Sequence, residues 1–437
     1  MPSHDAVVVG GGLSGLTAGL ALAESGADVA LLAKGMAASH WVHGGIDIAD
    51  SGQASSSAAA AAALASLPGH PYAVLADDLP AAVAEALRRL ADAGLPYRGG
   101  LDAPLEWIPT AIGGLRRAAI LPDGQATVLD PWEADEGLLL VGVERYRDFW
   151  AGYAARNLAA AEWPGGPARV HAAVVELPGL ARLRNLTPLV IARLFDDPVW
   201  RRSAWPLIRQ AVPAGRWRIG VPAVLGLDRH AEVLAEAVRE LGPVFEMPSL
   251  PPSVPGIRLH DALRRRFEAS GGRLEIGFGV TGVERSAGAV AALETAAAGR
   301  PRRVAAGVFV LATGGLAGGG LRGLPGGKLE ETVFGLPVSS PSADRWFSGE
   351  PLGDGVELER AGIRVNADLR PLDTAGRVVL DNVLVVGSEL SGMRYLSERC
   401  GDGVALASGH RAGRLIGVGQ RATATTTTTT TTRRTAS

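Results

Sequence analysis

The chain has 437 residues, of which 43 are basic and 45 acidic, and its formal net charge is −2. This balance argues against nucleic acid as the main partner, because domains that bind it usually carry a basic excess. The hydrophobic share of 47% excludes disorder over most of the length, and the single cysteine excludes an internal disulfide and a four-thiolate iron–sulfur site. No apolar run reaches the roughly 20 residues of a membrane-spanning helix, and no signal region opens the chain, so we expect a cytoplasmic protein.

The N-terminal segment predicts a parallel β-α-β unit. Residues 5–10 form a short apolar strand, residues 11–26 a glycine-rich turn and an Ala/Leu helix, and residues 28–32 a second strand. The serine- and alanine-rich residues 51–66 predict a loop or a loosely specified helix. Residues 79–93 have the spacing of an amphipathic helix. The beginning of the chain therefore has the pattern of an α/β fold with a Rossmann-like unit.

The turn after the first strand carries the motif Gly10-x-Gly12-x-x-Gly15. Gly10 permits a tight turn, Gly12 lets the backbone approach a phosphate, and Gly15 lets helix and strand pack closely. The N-terminus of the helix then offers N–H groups and a positive dipole end to the anion. The acid that usually binds a ribose is missing, because the second strand ends at Lys34 and Asp28 lies at its start. We expect a bound phosphate, with Lys34 adding a positive charge nearby.

From about residue 96 the chain becomes rich in proline and tryptophan, with short strands and helices. We interpret this segment as an inserted α+β domain. A basic helix at 257–270 returns the chain to the first domain, where residues 303–312 and 378–387 predict strands. The predicted organisation is a first part of the nucleotide-binding domain at 1–95, an inserted cap or substrate domain at 96–248, the return part at 249–420, and a disordered threonine-rich tail at 421–437.

Two later motifs resemble flavoproteins of the glutathione-reductase-like class. A strand ends in Thr313 and Gly314, like the second chain crossing of that class. Near the C-terminus, Gly401, Asp402 and Gly403 open an alanine-rich helix. The resemblance implies that this helix aims its N-terminus at the isoalloxazine ring, where its dipole would stabilise the reduced flavin. The nucleotide-binding domain is thus expected to be a flavin-binding domain.

A narrower resemblance covers about residues 5–416. Residues 35–50 (GMAASHWVHGGIDIAD), 70–72 (HPY) and 250–267 (LPPSVPGIRLHDALRRRF), together with the C-terminal unit, look like the family of the B subunit of anaerobic glycerol-3-phosphate dehydrogenase. Two positions depart from the family pattern, in which small residues stand in place of His43 and Asp402. The contacts beside the flavin are therefore expected to differ in this chain.

The resemblance implies part of an enzyme that oxidises glycerol 3-phosphate to dihydroxyacetone phosphate. Electrons would pass to quinone, with fumarate or nitrate as the terminal acceptor. The implied cofactor is FMN, bound non-covalently, with FAD as the alternative. The implied partners are an FAD-containing catalytic subunit of the same complex, and an iron–sulfur subunit that anchors the complex to the inner face of the membrane. The single cysteine fits this division, because clusters need ligands elsewhere.

Four polar residues are candidates for the site. Ser39 and His40 follow the second strand, where related flavoproteins place residues against the flavin, although a structural or surface role for His40 stays open. Arg258 could hold a substrate phosphate, since guanidinium suits bidentate contact, or be solvated. Glu389 stands where flavoproteins often put an acid on the ribityl chain, or is an ordinary loop acid. His40 and Arg258 are the candidate catalytic residues, and we expect no metal site.

Two alternative functions stay open from the sequence. The chain could be a non-catalytic electron relay or scaffold, because it lacks a dense acid–base cluster in the inserted segment. It could also be a stand-alone flavoprotein similar to the fumarate reductase group, which would need such a cluster. Turnover of glycerol 3-phosphate by the isolated chain separates these possibilities.

Overall fold

The structure is a computed structural model that describes residues 4–50, 52–296, 301–347 and 356–431, with side chains described as far as residue 417. Within these residues the strands are β1 (His4–Val9), β2 (Val29–Ala33), β3 (Tyr97–Gly99), β4 (Glu106–Pro109), β5 (Leu115–Ala118), β6 (Ile120–Pro122), β7 (Gly137–Val143), β8 (Val170–Val175), β9 (Trp217–Pro222), β10 (Val244–Met247), β11 (Arg273–Ile276), β12 (Val280–Ser286), β13 (Ala289–Thr295), β14 (Arg302–Leu311), β15 (Leu321–Leu324), β16 (Lys328–Glu331), β17 (Val338–Ser339), β18 (Gly362–Ile363) and β19 (Val383–Val385).

The α-helices of the same residues are α1 (Leu13–Glu24), α2 (Ser57–Ala65), α3 (Tyr72–Leu75), α4 (Leu79–Asp92), α5 (Asp123–Ala126), α6 (Ala151–Ala160), α7 (Pro188–Asp196), α8 (Pro198–Gln210), α9 (His230–Leu241), α10 (Val254–Ala269), α11 (Gly315–Gly318) and α12 (Gly401–Thr431).

The larger sheet has seven strands in the order β11-β2-β1-β14-β13-β12, with β19 also paired to β14. β1 pairs in parallel with β2 and β14, and β19 lies parallel to β14. β2 and most of β1 are buried, as is typical of parallel strands with apolar residues on both faces. This mixed α/β architecture with a β-α-β start confirms the predicted Rossmann-like fold.

A second sheet has the parallel order β10-β9-β7-β8 and its own hydrophobic core. Side chains such as Leu139, Ile219 and Phe245 fill that core, whereas Val8, Leu31 and Val310 belong to the core of the larger sheet. β7 is a continuous apolar run and is buried throughout. The second core is built from residues that lie between 108 and 247. The domain boundaries at 96 and 248 stay a prediction.

Helices α1 and α12 pack against each other in parallel, and glycines allow the close approach. A Cβ on Gly409 would lie 2.6 Å from the carbonyl oxygen of Ser14, and one on Gly413 would lie 2.4 Å from the Cβ of Ala21. The contacts advance together along both helices, which fixes their parallel direction. These two contacts put the start of α12 four to seven residues beyond the start of α1, or roughly 6–10 Å at 1.5 Å per residue. Two helix N-termini therefore lie at the same edge of the larger sheet.

Three predicted segments can be compared with the structure. The serine- and alanine-rich segment, predicted to be a loop or a helix, contains a regular helix, α2, capped where the Ser56 hydroxyl accepts the N–H of Ala59. The strand predicted at 378–387 is shorter, since within that segment only Val383–Val385 (β19) pair with β14. Residues 421–431 lie in α12, residues 432–437 lie outside the described residues, and the disordered tail stays a prediction. Each residue added to an existing helix gains a hydrogen bond, which opposes the low helix propensity of threonine.

Candidate cofactor and active site

The glycine loop between β1 and α1 has the geometry of a phosphate cradle. Gly10 has a φ of +119°, and a Cβ there would lie 2.1 Å from the carbonyl oxygen of Ala312. A Cβ on Gly15 would lie 2.0 Å from the Gly10 carbonyl oxygen, so both positions require glycine. Gly12 is the N-cap of α1 and has no side-chain cap, and among the described residues nothing beyond its two chain neighbours lies within 4 Å of a Cβ placed there. Open space thus faces the positive end of the helix.

The second glycine loop lies next to the first, where β14 ends. Gly314 and Gly315 both have positive φ values. The carboxylate of Glu389 accepts the Thr313 hydroxyl at 2.5 Å and the Gly315 N–H at 2.8 Å. Glu389 is fully buried, which raises its pKa to about 7, and its Oε2 has no hydrogen-bond partner among the described residues. The carboxylate turns inward and holds this loop, and the neighbouring Ser388 is half-buried. The contact of Glu389 with a ribityl chain stays a prediction.

The end of β2 carries no acid. Lys34 is exposed there, and the Ala33 carbonyl oxygen accepts the N–H groups of Gly277 and Phe278. Asp28 lies at the opposite end of the strand, where it binds Arg273 at 2.8 Å and His4 at 3.2 Å. Hydrogen bonds from Arg273 hold the pKa of Asp28 below its ordinary value. Asp28 therefore forms its contacts at the start of β2, away from the end of the strand where a ribose-binding acid would lie.

His40 pairs with a second histidine beside the first glycine loop. His260 Nε2 faces the Gly11 carbonyl oxygen at 3.1 Å, and a carbonyl only accepts, so the His260 proton lies on Nε2. His260 Nδ1 then accepts the Nε2–H of His40 at 3.2 Å. Burial, followed by the neighbouring His260, lowers the pKa of His40. His40 is therefore a neutral imidazole whose Nδ1 carries the lone pair.

The start of α10 fixes the backbone around His40. The Ser253 N–H donates to the His40 carbonyl oxygen at 2.8 Å, and the Ser253 hydroxyl caps the helix by accepting the Gly256 N–H. A Cβ on Gly256 would lie 2.1 Å from the carbonyl oxygen of Ser39. Ser39 is buried under this contact, so its backbone, more than its hydroxyl, defines the loop.

A polar cluster connects the loop after β2 to the first turn of α12. His43 Nδ1 accepts the Gly45 N–H at 2.9 Å, so its proton lies on Nε2 and is donated to Asp47 at 3.2 Å. Arg116 of β5 binds the other carboxylate oxygen of Asp47. The Asp47 N–H donates to Asp402 Oδ2 at 3.1 Å. Despite its burial, interactions with His43 and Arg116 lower the pKa of Asp47.

The pKa of Asp402, the other acid of this cluster, is shifted upward. Burial, and next the Asp47 carboxylate, raise the pKa of Asp402 to about 6. The helix turn that carries it is closely packed, because a Cβ on Gly403 would lie 2.0 Å from the Tyr72 hydroxyl. A Cβ on Gly401 would meet Tyr395 Cβ only at 3.6 Å, an ordinary contact. Gly403 is therefore required by packing and Gly401 is not.

The guanidinium of Arg258 is buried and bound to other parts of the chain. Its guanidinium forms a buried ion pair with Glu246 at 2.6 Å and donates to the Gly226 carbonyl oxygen at 2.8 Å. Arg258 lies on α10, and Glu246 lies on β10 of the second sheet. A carboxylate and a carbonyl occupy its donors, and the ion pair joins α10 to β10. A role of Arg258 in binding or catalysis stays a prediction.

A second buried cluster lies behind the start of α12. His70 Nδ1 accepts the Tyr72 N–H at 3.1 Å, so its proton lies on Nε2 and faces Glu398 at 3.4 Å. The Cys400 thiol lies 3.8 Å from Glu398, and burial raises its pKa. The proton on His70 Nε2 would have to leave before that nitrogen could bind a metal ion. Cys400 is buried in this cluster.

Sequence reasoning missed His260, Asp47 and Arg116. Asp47 follows His43 by four residues, and the adjoining glycines Gly44 and Gly45 marked a close backbone approach, which was a usable signal. His260 lies within the family-specific segment but carries no local pattern. Arg116 is an arginine in a short strand like many others. The partners of His260 and Arg116 are distant in sequence, so only the fold brings them together.

The arrangement fits a flavin. The open space at Gly12 and the uncapped N-terminus of α1 suit a phosphate. The N-terminus of α12, roughly 6–10 Å further along the same edge, suits a group that gains negative charge on reduction. His40 and the cluster around Asp402 lie near these two ends. Chemically, the site offers one anion cradle, one neutral imidazole and one carboxyl close to its point of titration.

Comparison with known proteins agrees with this geometry. Residues 5–404 match the family described as "FAD binding domain". A protein of Halobacterium salinarum, named as a probable B subunit of anaerobic glycerol-3-phosphate dehydrogenase, is 33% identical over 94% of this chain and 96% of its own length. The B subunit of the same enzyme in Pectobacterium carotovorum is 31% identical over 93% and 96%, and its namesake in Yersinia pestis is 33% identical over 92% and 96%.

Solved structures are similar at low identity. The 3-ketosteroid delta1-dehydrogenase of Sterolibacterium denitrificans has a TM-score of 0.46 and 12% identity, covering 95% of this chain and 99% of that chain. A flavocytochrome c3 fumarate reductase has a TM-score of 0.45 and 10% identity, covering 95% and 79%. Separately, no helix in the described part of this chain is long and apolar enough to cross a membrane.

Proposed function

This chain belongs to the family of the B subunit of anaerobic glycerol-3-phosphate dehydrogenase, and we propose that it is the flavin subunit of a glycerol 3-phosphate:quinone oxidoreductase. The observation that carries the proposal is the similarity of at least 31% over more than 90% of both chains. The match to an FAD-binding domain makes the chain a flavoprotein. The reaction oxidises the secondary alcohol of glycerol 3-phosphate to the ketone of dihydroxyacetone phosphate. Fumarate or nitrate then serves as the terminal acceptor.

The residues that would hold the flavin follow from the two glycine loops and the two helix ends. Gly10, Gly12 and Gly15 form the phosphate cradle, and Lys34 contributes a positive charge at the end of β2. Thr313 and Gly314 shape the second loop, with Glu389 holding it from below. Gly401, Asp402 and Gly403 present the start of α12. When bound, the flavin accepts a hydride from the alcohol carbon.

His40 is the proposed base of the site. Its Nδ1 lone pair is fixed by the pairing of Nε2–H with His260, and its lowered pKa keeps it neutral. A neutral imidazole can accept the hydroxyl proton as the hydride leaves. Ser39 contributes backbone shape at this position. His43 is a weaker candidate for the base, because Gly45 and Asp47 occupy both of its ring nitrogens.

We propose FMN as the flavin, bound non-covalently, with FAD as the alternative. FAD needs a place for adenosine, and the acid that would bind its ribose is absent from the described end of β2, where Ala33 and Lys34 stand. The loss of one hydrogen bond to a charged acceptor costs about 1.5–3 kcal/mol, which weakens FAD without excluding it. The exposed Lys34 suits the terminal phosphate of FMN.

We propose that the chain works in a complex with two partners. One is the FAD-containing catalytic partner, and the other is the iron–sulfur partner that would hold the complex at the inner face of the membrane. The relatives are themselves named as one subunit of an enzyme, which supports a multi-subunit assembly. One cysteine cannot ligate an iron–sulfur cluster, so a partner must carry the electrons from the flavin to the acceptor.

A second candidate is an electron relay in which the FAD-containing partner performs the chemistry. The arginines that reach the site favour it, because each is already bound to a carboxylate. Arg116 binds Asp47, and both Arg117 and Arg399 bind Asp50. A substrate phosphate would have to displace one of these carboxylates. This pairing also argues against a stand-alone dehydrogenase, which would need a free cation for an anionic substrate.

The experiment that tests the function is anaerobic addition of glycerol 3-phosphate to the purified flavin-loaded chain. Bleaching of the flavin spectrum, and turnover when an artificial acceptor is added, would support a subunit with its own dehydrogenase activity. Bleaching only after the FAD-containing partner is added would support the relay. A flavin that is bleached in neither case, while dithionite reduces it, would contradict both.

A further inference from the structure

Asp402 places a carboxyl group at the end of α12 that is expected to face the flavin. It lies in the first turn of the helix, where an anion gains from the positive dipole end. A flavin that becomes negative on reduction would be stabilised by the same positive end of α12. Two negative groups in one low-dielectric turn repel each other, so the second is disfavoured unless the first is neutralised.

The surroundings hold Asp402 close to the point at which it gains or loses a proton. Its Oδ2 is fixed by the N–H of Asp47, and that bond persists in either protonation state because the other oxygen can carry the proton. Burial and the Asp47 carboxylate favour the neutral acid, whereas His43 and Arg116 favour the anion. The titratable and charged groups facing Asp402 are Asp47 and His43 from the loop after β2, Arg116 from β5, Tyr72 from α3 and Tyr97 from β3.

We propose that Asp402 is a redox-linked proton site, ionised while the flavin is oxidised and protonated when the flavin is reduced. The inference rests on the proposed function, which places the flavin at this helix end. In the balanced reaction the alcohol becomes a ketone, its C–H pair moves to the oxidised flavin as a hydride, and its hydroxyl proton is released. Asp402 takes up one proton, so that the hydride and the proton together add no net charge here. Asp402 acts as a tuning residue and needs no contact with the substrate.

The test compares the reduction of the bound flavin in the wild-type chain and in Asp402→Asn. Asparagine has the same shape and still accepts the Asp47 N–H, but it cannot ionise. Redox equilibrium with a reference dye is measured at pH 8 and pH 5, with dithionite as the reductant. Asp135→Asn, which removes an exposed acid from the inserted segment, is the matched control.

At pH 8 the Asp402→Asn protein should favour reduced flavin over the wild type by about tenfold, or about 30 mV for a two-electron couple. At pH 5, where the wild-type carboxyl is already protonated, the difference should fall below about threefold. An equal difference at both pH values, or none at pH 8, would overturn the inference. The Asp135→Asn protein should match the wild type throughout.

A second measurement needs no variant. The reduced-minus-oxidised infrared spectrum of the wild-type holoprotein at pH 8 should show a new protonated carboxyl band. Reduction without that band would also overturn the inference. Because dithionite supplies the electrons, these results are independent of glycerol 3-phosphate. Absence of bound flavin, or a flavin that the substrate cannot reduce with or without the FAD-containing partner, would instead contradict the proposed function.

Discussion

At the scale of single residues, a substitution of Gly12 is expected to affect flavin binding much more than folding. Beyond its chain neighbours, the Cβ of a valine there would meet no atom of the described residues within 4 Å, so Gly12→Val should fold, at the cost of about 1 kcal/mol for a poorer N-cap. The same side chain would fill the space in front of the helix, and flavin affinity should fall at least about a hundredfold, by loss of charge-assisted hydrogen bonds. Flavin content and thermal unfolding measure the two effects.

The control for this variant is Gly323→Val, which also adds its Cβ in open space but on β15, away from the loop. It should bind flavin normally. Full flavin occupancy in Gly12→Val would remove the assignment of the phosphate cradle. Gly15→Ala should behave differently again and lose stability, because its Cβ would lie 2.0 Å from a backbone oxygen.

Arg258 carries a prediction about stability. Arg258→Ala leaves the Glu246 carboxylate buried without its ion-pair partner, and such a loss costs about 3–5 kcal/mol. Denaturant unfolding should show this decrease. The double variant Arg258→Met, Glu246→Gln should recover a large part of it, because no unpaired charge remains. A normal unfolding midpoint combined with a raised KM for glycerol 3-phosphate would show that Arg258 binds substrate after all.

Glu389 predicts a pH dependence of stability with a definite sign. Its pKa is raised from an ordinary 4.5 to about 7, so between these values the folded chain holds a proton that the unfolded chain has lost. The contribution of Glu389 to the stability of the folded chain is therefore fully present below about pH 4.5 and is lost as the pH rises through 7. Glu389→Gln should therefore be more stable than the wild type at pH 8 by about 3 kcal/mol, at about 1.4 kcal/mol per pKa unit, and equally stable at pH 4.5.

Unfolding at both pH values measures this effect, with the exposed Glu162→Gln as the control that should change neither. Glutamine keeps the acceptor for Thr313 and Gly315, so the loop itself is preserved. A destabilisation at pH 8 would mean that the carboxylate is ionised and needed in the folded chain.

At the scale of elements, the parallel packing of α1 and α12 sets the spacing of the two helix ends. Gly409→Ala would place its Cβ 2.6 Å from the backbone oxygen of Ser14, so the helices must separate. Overpacking of this kind costs about 1–3 kcal/mol, and flavin affinity should weaken as the helix ends shift. Gly417→Ala lies on the same helix with its nearest neighbour 3.9 Å away, and it should be neutral or stabilise by up to about 1 kcal/mol. Equal effects of the two variants would contradict this packing.

The elements also show which features the sequence could predict. The β-α-β start depends on local periodicity and on glycines next to each other in sequence, so β1, α1 and the Gly10–Gly12–Gly15 geometry could be predicted. The inward turn of Glu389 depends on a loop 74–76 residues earlier. The burial of Arg258 likewise depends on the arrival of β10 beside α10, which no local pattern encodes. Both contacts are tertiary, so the sequence alone could not predict them.

At the scale of the whole molecule, we expect the chain to work in a complex with partner subunits. The relatives of the chain are named as one subunit of an enzyme, and its single cysteine cannot hold an iron–sulfur cluster. Purification of the tagged chain from native membranes under mild detergent should therefore recover a partner that contains iron and acid-labile sulfide. Recovery of the chain alone, with full quinone reductase activity, would contradict the proposed division of labour.

The central claim is that this chain binds one flavin without a covalent bond, and the most direct measurement is the flavin released from the purified protein. The protein is precipitated with acid, and the supernatant is analysed by chromatography against FMN and FAD. The account predicts about one FMN per chain in the supernatant and a colourless pellet. Recovery of FAD alone would contradict the assignment of FMN, yellow colour kept in the pellet would contradict non-covalent binding, and a chain free of flavin that does not take it up on reconstitution would contradict the account as a whole.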